Sequence, residues 1–494
     1  MDTSSIDRLE EIIVRNNRKP SDETAIAVLQ ALGTPCISFA LLNRHKTTAH
    51  CMTSGSDDTS TLFQACSISK PVCSLLTFKF IESGHLSLHT SISSYLSEAE
   101  VEKLETPETR GMAKFITISM LLSHTSGLET SGSLGFPGYD VSRNAKGHFR
   151  AALPDLKEAL EGSRPSNTLP IRLKNWPGHV FNYSGGGYGV LQLIIEAVIG
   201  RSFAEVMQEH VFTPLHMDRS TYAVPDDEDL NTKKQQGRSN YARAFYNGYT
   251  ACEAPHRVNP EQSAAGLWTT PTDLLILVLA VQKSLQDENG FLPRHLAKQM
   301  LGEVTAGMAH GWFVTDTHFG HGGCNMPGWT CNVMASLNGN QASCSMTNSM
   351  EGHMVGRKVQ AAVSYLLDWK EAKQFAYMKS CVVPFADVSA TPPDTAVTEK
   401  WTGTWKERGA QFEVEFRAKK GVLWLKIGQM PEQWLWIAAH GEEEPRNGNK
   451  IVADLVCRGG MEILVRIMEG ENGEALMEMW NGNTGEVVMM EKVQ

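Results

Sequence analysis

No stretch of this 494-residue chain reaches the ~18 consecutive apolar residues that a membrane-spanning helix needs. The longest apolar segments, around Leu274–Val281 and Leu191–Ile199, have the length of core helices. Met1–Asn17 holds Asp7, Arg8, Glu10, Glu11 and Arg15 but no apolar run, so the pattern of a secretory leader is absent. Basic excess is also absent. With 45 Lys and Arg against 55 Asp and Glu the net charge is −10, which argues against nucleic acid or an anionic membrane as partner. Ten cysteines are scattered from Cys36 to Cys457 without the density of a disulfide framework, and they read as apolar filler. Together these absences set the expected location as the reducing cytoplasm. What is present is 41% hydrophobic residues with 20% charged, enough for large cores, and at this length more than one folded unit is expected.

Pro35–Leu42 and Thr47–Thr53 read as two strands joined across the polar Asn43–Lys46 turn. Helical signals follow from Ser67 to Glu82 and recur at Ile116–Leu122, Gly189–Ile199, Phe203–His210 and Pro271–Ser284. Strand character returns at Gly311–Val314, Thr330–Ser336 and Ala342–Thr347, before a closing helix over Val355–Lys370. This order predicts an α+β unit over residues 1–380, its antiparallel sheet split in sequence by a large helical insertion. Residues 381–397, with three prolines and no periodicity, read as a linker. Residues 398–494 carry eight short strand-like runs separated by Gly- and Asn-containing turns, predicting a small all-β up-and-down barrel.

Three segments carry chemistry. In Cys66-Ser67-Ile68-Ser69-Lys70 the helical spacing brings Lys70 onto the face of Ser67. A lysine of lowered pKa takes the proton that keeps a serine hydroxyl from being nucleophilic. An N-cap serine beside a solvated lysine is the alternative. In Asn182-Tyr183-Ser184-Gly185-Gly186-Gly187 the glycines imply a tight bend before a helix, with Tyr183 placed to project into a cleft or to sit in the core. In His318-Phe319-Gly320-His321-Gly322-Gly323-Cys324-Asn325 paired glycines open a strand to close approach by a ligand, and the Cys324 N–H joins that of Ser67 as an oxyanion donor. His318, His321 and Cys324 match no common zinc spacing, so no metal is expected. His124 reads as a structural residue fixing a loop, and at most two of Trp176, Tyr188, Trp268, Trp312 and Trp329 as pocket walls.

In this order, and with ITISMLLSHTSGL (116–128), VFTPLHMDRS (211–220), AAGLWTTPTD (264–273), FGHGGCNMPG (319–328) and Met346-Thr347-Asn348, the segments resemble the serine β-lactamase and penicillin-binding-protein-like family. The likeness is strongest to its class C-type esterases, D-aminopeptidases and acyltransferases, and it spans about residues 30–370. The resemblance implies a β-lactamase-like fold and a set of roles. Ser67 is the nucleophile, and Lys70 its proton acceptor or the group that keeps the base deprotonated. Tyr183, the tyrosine of the Tyr-x-Asn motif, is the proton shuttle, and His321-Gly322-Gly323 stands for the Lys-Thr-Gly strand motif. Backbone N–H groups of Ser67 and Cys324 form the oxyanion hole, and Gly185, Gly322, Gly323 and Trp312 are the expected substrate-binding positions. Two departures stand out. Gly185 replaces the motif asparagine that contacts a β-lactam's side-chain amide, and His321 replaces the lysine that binds its carboxylate. Both favour esters or amides without that carboxylate. The C-terminal segment resembles the lipocalin-like barrel appended to some relatives, where covering the active-site mouth or gating the substrate stays open.

The expected activity is therefore that of a cofactor-free serine hydrolase acting on a small-molecule ester or amide. The alternative is an acyltransferase or cyclising release enzyme of specialised metabolism, with an acyl acceptor or a carrier-bound acyl donor as a further partner. A non-catalytic binding protein on the same fold is the third reading. Neither nucleic acid nor membrane is an expected partner, and the sequence leaves the oligomeric state open.

Overall fold

Cys36–Asn43 (β1) is an apolar run, CISFALLN, and every residue but the last is buried. A strand reads this way when both faces of its sheet are covered. It pairs antiparallel with Lys46–Thr53 (β2), an edge strand that is mostly half-exposed, through a turn in which Arg44 takes φ +48. On its other side β1 pairs with a strand some 300 residues away in sequence. The computed structural model describes Leu29, residues 33–360 apart from 130–135, 142–151, 224–239, 253–255 and shorter breaks, and the strands within 399–493.

The six-stranded antiparallel sheet runs β2-β1-β6-β5-β4-β3, where β3 is Phe313–Val314, β4 His318–Asn325, β5 Trp329–Ser336 and β6 Gln341–Thr347. The helical block inserted between β2 and β3 includes Ser69–Glu82 (α1), Gly185–Ile199 (α2) and Pro271–Gln286 (α3). Helix α3 packs on the sheet, and its buried Gln282 donates to the carbonyls of Ser336 at 2.7 Å and Gln341 at 3.2 Å. The α+β organisation read from the element order, and the β-lactamase-like fold that the resemblance implied, are thus observed.

The glycine run differs from expectation. Rather than a bend before the helix, Gly185, Gly186 and Gly187 are its first turn, capped by the Ser184 hydroxyl, which accepts from the Gly187 N–H at 3.0 Å. Such a cap stabilises a helix by about 1 kcal/mol. Packing explains the glycines: a Cβ on Gly185 would come within 2.6 Å of the Phe136 ring, and one on Gly186 within 2.6 Å of the Glu129 carbonyl.

The chain divides into two compact units, Gly33–Gly356 and a second made of Met1–Leu32 with Arg357–Gln494. Within the second, eight antiparallel strands from Gly403–Glu407 to Val487–Lys492 close into a barrel, the first pairing with the last through Trp405 and Lys492. Alternate side chains, among them Trp405, Phe416, Leu425, Leu455, Ile467 and Met479, fill its core. The expected boundary at 380 and the linker 381–397 lie outside the described residues. Among the described residues no helix is long and apolar enough to cross a membrane.

Candidate active site

Ser67 lies in the short 3-10 turn Cys66–Ile68 that runs straight into α1. The residue before it, Cys66, holds φ +48, a left-handed conformation that costs a non-glycine residue ~1–2 kcal/mol. The surroundings impose it. Ala65 N–H donates to the Leu267 carbonyl at 2.8 Å, and Asn325 at the end of β4 donates to Gln64 at 2.7 Å and to the Ala265 carbonyl at 3.0 Å. Strand β4 passes so close that a Cβ on Gly323 would stand 2.7 Å from both the Ser67 nitrogen and the Cys66 Cβ. Glycine is required there. The ladder between β3 and β4 ends at Gly320, and His321–Asn325 runs on beyond it beside Ser67.

One turn into α1, the Lys70 Nζ lies 3.1 Å from the Ser67 Oγ and donates to the Ala264 carbonyl at 2.8 Å. The side chain is buried, and loss of solvent brings its pKa down to about 7. With one N–H directed at Ala264, the lone pair of the neutral amine is available to the serine proton. The Tyr183 phenol faces the Ser67 side chain, which favours its ionised form, and its ring lies 5.0 Å from Lys70 Nζ. Burial pushes its phenol above the ordinary tyrosine range. The Tyr183 oxygen is 3.4 Å from His321 Nε2. His321 Nδ1 sits 2.5 Å from the Gly322 carbonyl, so that nitrogen carries the proton and Nε2 is the acceptor. Burial, reinforced by the nearby Lys70, brings the imidazole down to about 3, so it is neutral at physiological pH.

Ser67, Lys70, Tyr183 and His321 therefore meet, although they come from distant parts of the chain. Gly322 and Cys324 are exposed and Gly323 half-buried on the strand beside them. Two expected positions differ. Gly185 is buried under the Phe136 ring and offers a substrate no surface. Trp312 is 1% exposed and packs edge-on against Phe319, so it belongs to the core. Its neighbour Phe313 is the aromatic at the site. It is 41% exposed, parallel to the Tyr183 ring at 6.5 Å and 5.2 Å from His321. Adjacent strand residues face opposite ways, and the dipeptide Trp312-Phe313 alone does not say which faces the site. Trp268 and Trp329 are likewise buried, packed edge-on at 5.2 Å. His124 accepts from the Ser184 N–H, in keeping with a loop-fixing role. Among the described residues no group of three His, Cys, Asp or Glu side chains is arranged to hold a metal ion.

The Ala264 carbonyl, which sequence reasoning did not single out, belongs to the π turn Gln262–Gly266. Glu261, just before that turn, is 1% exposed, and among the described residues its carboxylate has no partner but its own backbone N–H. Burial raises its pKa to about 7, against about 4.3 for an unperturbed glutamate. Between those two pH values the folded chain holds a proton that the unfolded chain has lost, so this group makes stability fall as pH rises through that window. Glu261→Gln is expected to flatten that decline, gaining up to about 3 kcal/mol at pH 8 and little at pH 4.5. Urea unfolding of both proteins at the two pH values measures it; equal gains at both would contradict the assignment.

A family profile described as Beta-lactamase matches residues 24–365, well over half of the chain. Penicillin-binding protein 4 of Amycolatopsis lactamdurans is 27% identical over 164 residues, which are 33% of this chain and 36% of that protein. Protein flp of Staphylococcus aureus (strain MW2) is 24% identical over 261 residues, 52% of this chain and 46% of that protein. The chain thus spans less than half the length of these relatives. Among solved structures, the octameric penicillin-binding protein homologue from Pyrococcus abyssi superposes with TM-score 0.58 at 16% identity, covering 99% of this chain and 100% of that one. D-amino acid amidase from Ochrobactrum anthropi SV3, complexed with L-phenylalanine amide, gives TM-score 0.53 at 16% identity over 75% of this chain and 100% of that one. At such identities the structural likeness is one of fold. With the profile match over most of its length and a β-lactamase-like sheet whose strand β4 passes beside the Ser67–Lys70 turn, the chain belongs to the beta-lactamase family.

Proposed function

We propose that the protein is a serine hydrolase that cleaves an uncharged small-molecule ester or amide through an acyl-enzyme on Ser67. The observation that carries this reading is the desolvated Lys70 amine, 3.1 Å from the Ser67 Oγ and anchored by Ala264. Neutral Lys70 accepts the hydroxyl proton as the Ser67 Oγ bonds to the substrate carbonyl carbon. The oxygen of that carbonyl takes up the electron pair and is stabilised by the backbone N–H groups of Ser67 and Cys324. As the tetrahedral species collapses, the bond to the leaving group breaks and Tyr183 delivers a proton to it. Lys70 restores that proton to Tyr183. Water then attacks the acyl-enzyme, Tyr183 taking its proton while passing its own to neutral Lys70; the bond to the Ser67 Oγ breaks as Lys70 returns that proton to it, and neutral His321 orients the phenol.

Substrate charge follows from the same geometry. Where a lysine would hold a carboxylate, His321 is neutral, and burial keeps it so. Phe313 adds an apolar ring beside it. An uncharged ester such as p-nitrophenyl butyrate is expected to exceed a carboxylate-bearing chromogenic cephalosporin in kcat/KM by about 100-fold or more, roughly the value of one charge-assisted contact or two. Steady-state rates on both substrates test it, and parity or the opposite order would overturn the substrate class. Adding small alcohols or amines to the same assay separates hydrolysis from transfer, since an acyl acceptor that outcompetes water yields a new ester or amide. Absence of any turnover or adduct by the folded protein would favour a binding role.

A further inference from the structure

We propose that His124 is a positioning residue for Tyr183, fixing both the backbone and the ring of the phenol that serves Ser67. The inference rests on the proposed role of Tyr183 and extends it to a residue that touches no reacting atom. The neighbours of Tyr183 on either side are both tied to His124. The Asn182 N–H donates to the His124 carbonyl at 2.8 Å, and the Ser184 N–H donates to the His124 Nδ1 at 2.9 Å. Between these two tethers the rings of His124 and Tyr183 lie 4.2 Å apart, inclined by 31°. On its other side the imidazole lies 5.3 Å from Tyr188, whose own hydroxyl donates to the Leu122 carbonyl at 2.9 Å. Tyr183 is held at three points by one side chain and its backbone.

His124 adopts φ +58, which a residue rarely does without compensation. This conformation accompanies the presentation of both its carbonyl and its Nδ1 to the Asn182–Ser184 segment. Because Nδ1 accepts, the ring proton is on Nε2, which is buried and has no hydrogen-bond partner among the described residues. The titratable groups around the ring are Lys70, Tyr183, Tyr188 and His321. Burial, with Lys70 adding to it, holds the imidazole well below the ordinary histidine range. It therefore stays neutral while Lys70 titrates, and its Nδ1 remains an acceptor throughout.

Three variants separate positioning from mere structural support. His124→Ala removes ring and acceptor. His124→Asn restores an acceptor near the Nδ1 position and tolerates a left-handed backbone. His124→Phe restores the ring but leaves the Ser184 N–H buried without a partner. With p-nitrophenyl butyrate, and concentrations corrected for folded protein, H124A is expected to lose about 100-fold in kcat with KM changed less than about 3-fold. H124N should recover at least about tenfold of that loss and H124F none. In H124A, water entering beside Lys70 should also raise the midpoint at which Lys70 titrates, read by NMR of the full-length protein carrying 13C-labelled lysine. H124A within about 3-fold of the parent in kcat, or H124F equal to H124N, would overturn the proposal. If H124A does not fold, the ratio of H124N to H124F decides: tenfold or more supports it, parity overturns it. Should the parent show no turnover and no adduct on Ser67, the proposed function falls. The Lys70 titration then judges His124 alone, with an unmoved midpoint in the variants counting against it.

Discussion

Replacing Ser67 by alanine is expected to lower ester turnover by at least ~10³-fold while the protein remains folded. In the proposed mechanism the serine oxygen is the atom that forms the acyl bond. The exposed thiol of Cys324 on the neighbouring strand has its pKa raised to about 11 by partial desolvation and by Cys331, and so is not a ready nucleophile. Stability should change little. Ser67 is only half-buried, and Lys70 keeps its hydrogen bond to the Ala264 carbonyl in its absence. A melting temperature close to the parent's with turnover at background is the predicted pair of results. Turnover within tenfold of the parent would mean that the chemistry lies elsewhere.

Lys70→Met should have two effects of opposite sign. Activity is expected to fall by ~10³-fold or more, because the proposed proton acceptor is gone. Stability is expected to rise. The lysine has a pKa of about 7 in the folded protein and about 10.4 in an unfolded chain. Between those values the unfolded state binds a proton that the folded state does not, so the parent's stability increases as pH rises from 7 to 10.4. Below pH 7 the whole penalty of the buried amine is felt. It amounts to about 5 kcal/mol at most, less ~1–2 kcal/mol for the hydrogen bond to Ala264 that methionine cannot make. K70M should therefore unfold at higher urea than the parent at pH 7, and the advantage should vanish near pH 10.5. The parent's turnover should decline about tenfold per unit below pH 7 as Lys70 becomes protonated. An activity profile flat from pH 5 to 8, or a K70M protein less stable than the parent at pH 7, would remove Lys70 from the role of base.

How far the site was readable from sequence depends on the interaction concerned. Ser67 and Lys70 are three residues apart on one helical turn, so their meeting follows from helix geometry alone. Tyr183 and His321 come from remote segments and were placed beside them by family resemblance, since spacing carries no information across such distances. The strands of the barrel and of the split sheet were legible because short β-branched and aromatic runs alternate with Gly and Asn turns. What was not legible depends on packing. The left-handed Cys66 is imposed by β4 pressing against the serine turn, and Gly185 and Gly186 answer to Phe136 and Glu129, which lie far from them in sequence. Trp312 and Phe313 are equivalent as letters, and only the side-chain alternation about β3 buries one and turns the other to the site. Ala264 contributes a backbone carbonyl, for which side-chain identity gives no signal at all.

The most direct measurement is reaction of the full-length protein with a fluorophosphonate, followed by intact mass and peptide mapping across pH. One phosphonyl group per chain is predicted, on the peptide bearing Ser67, with a labelling rate that falls below about pH 7 and no label in S67A. Folded protein that stays unlabelled, or carries its adduct on another residue, would contradict the account.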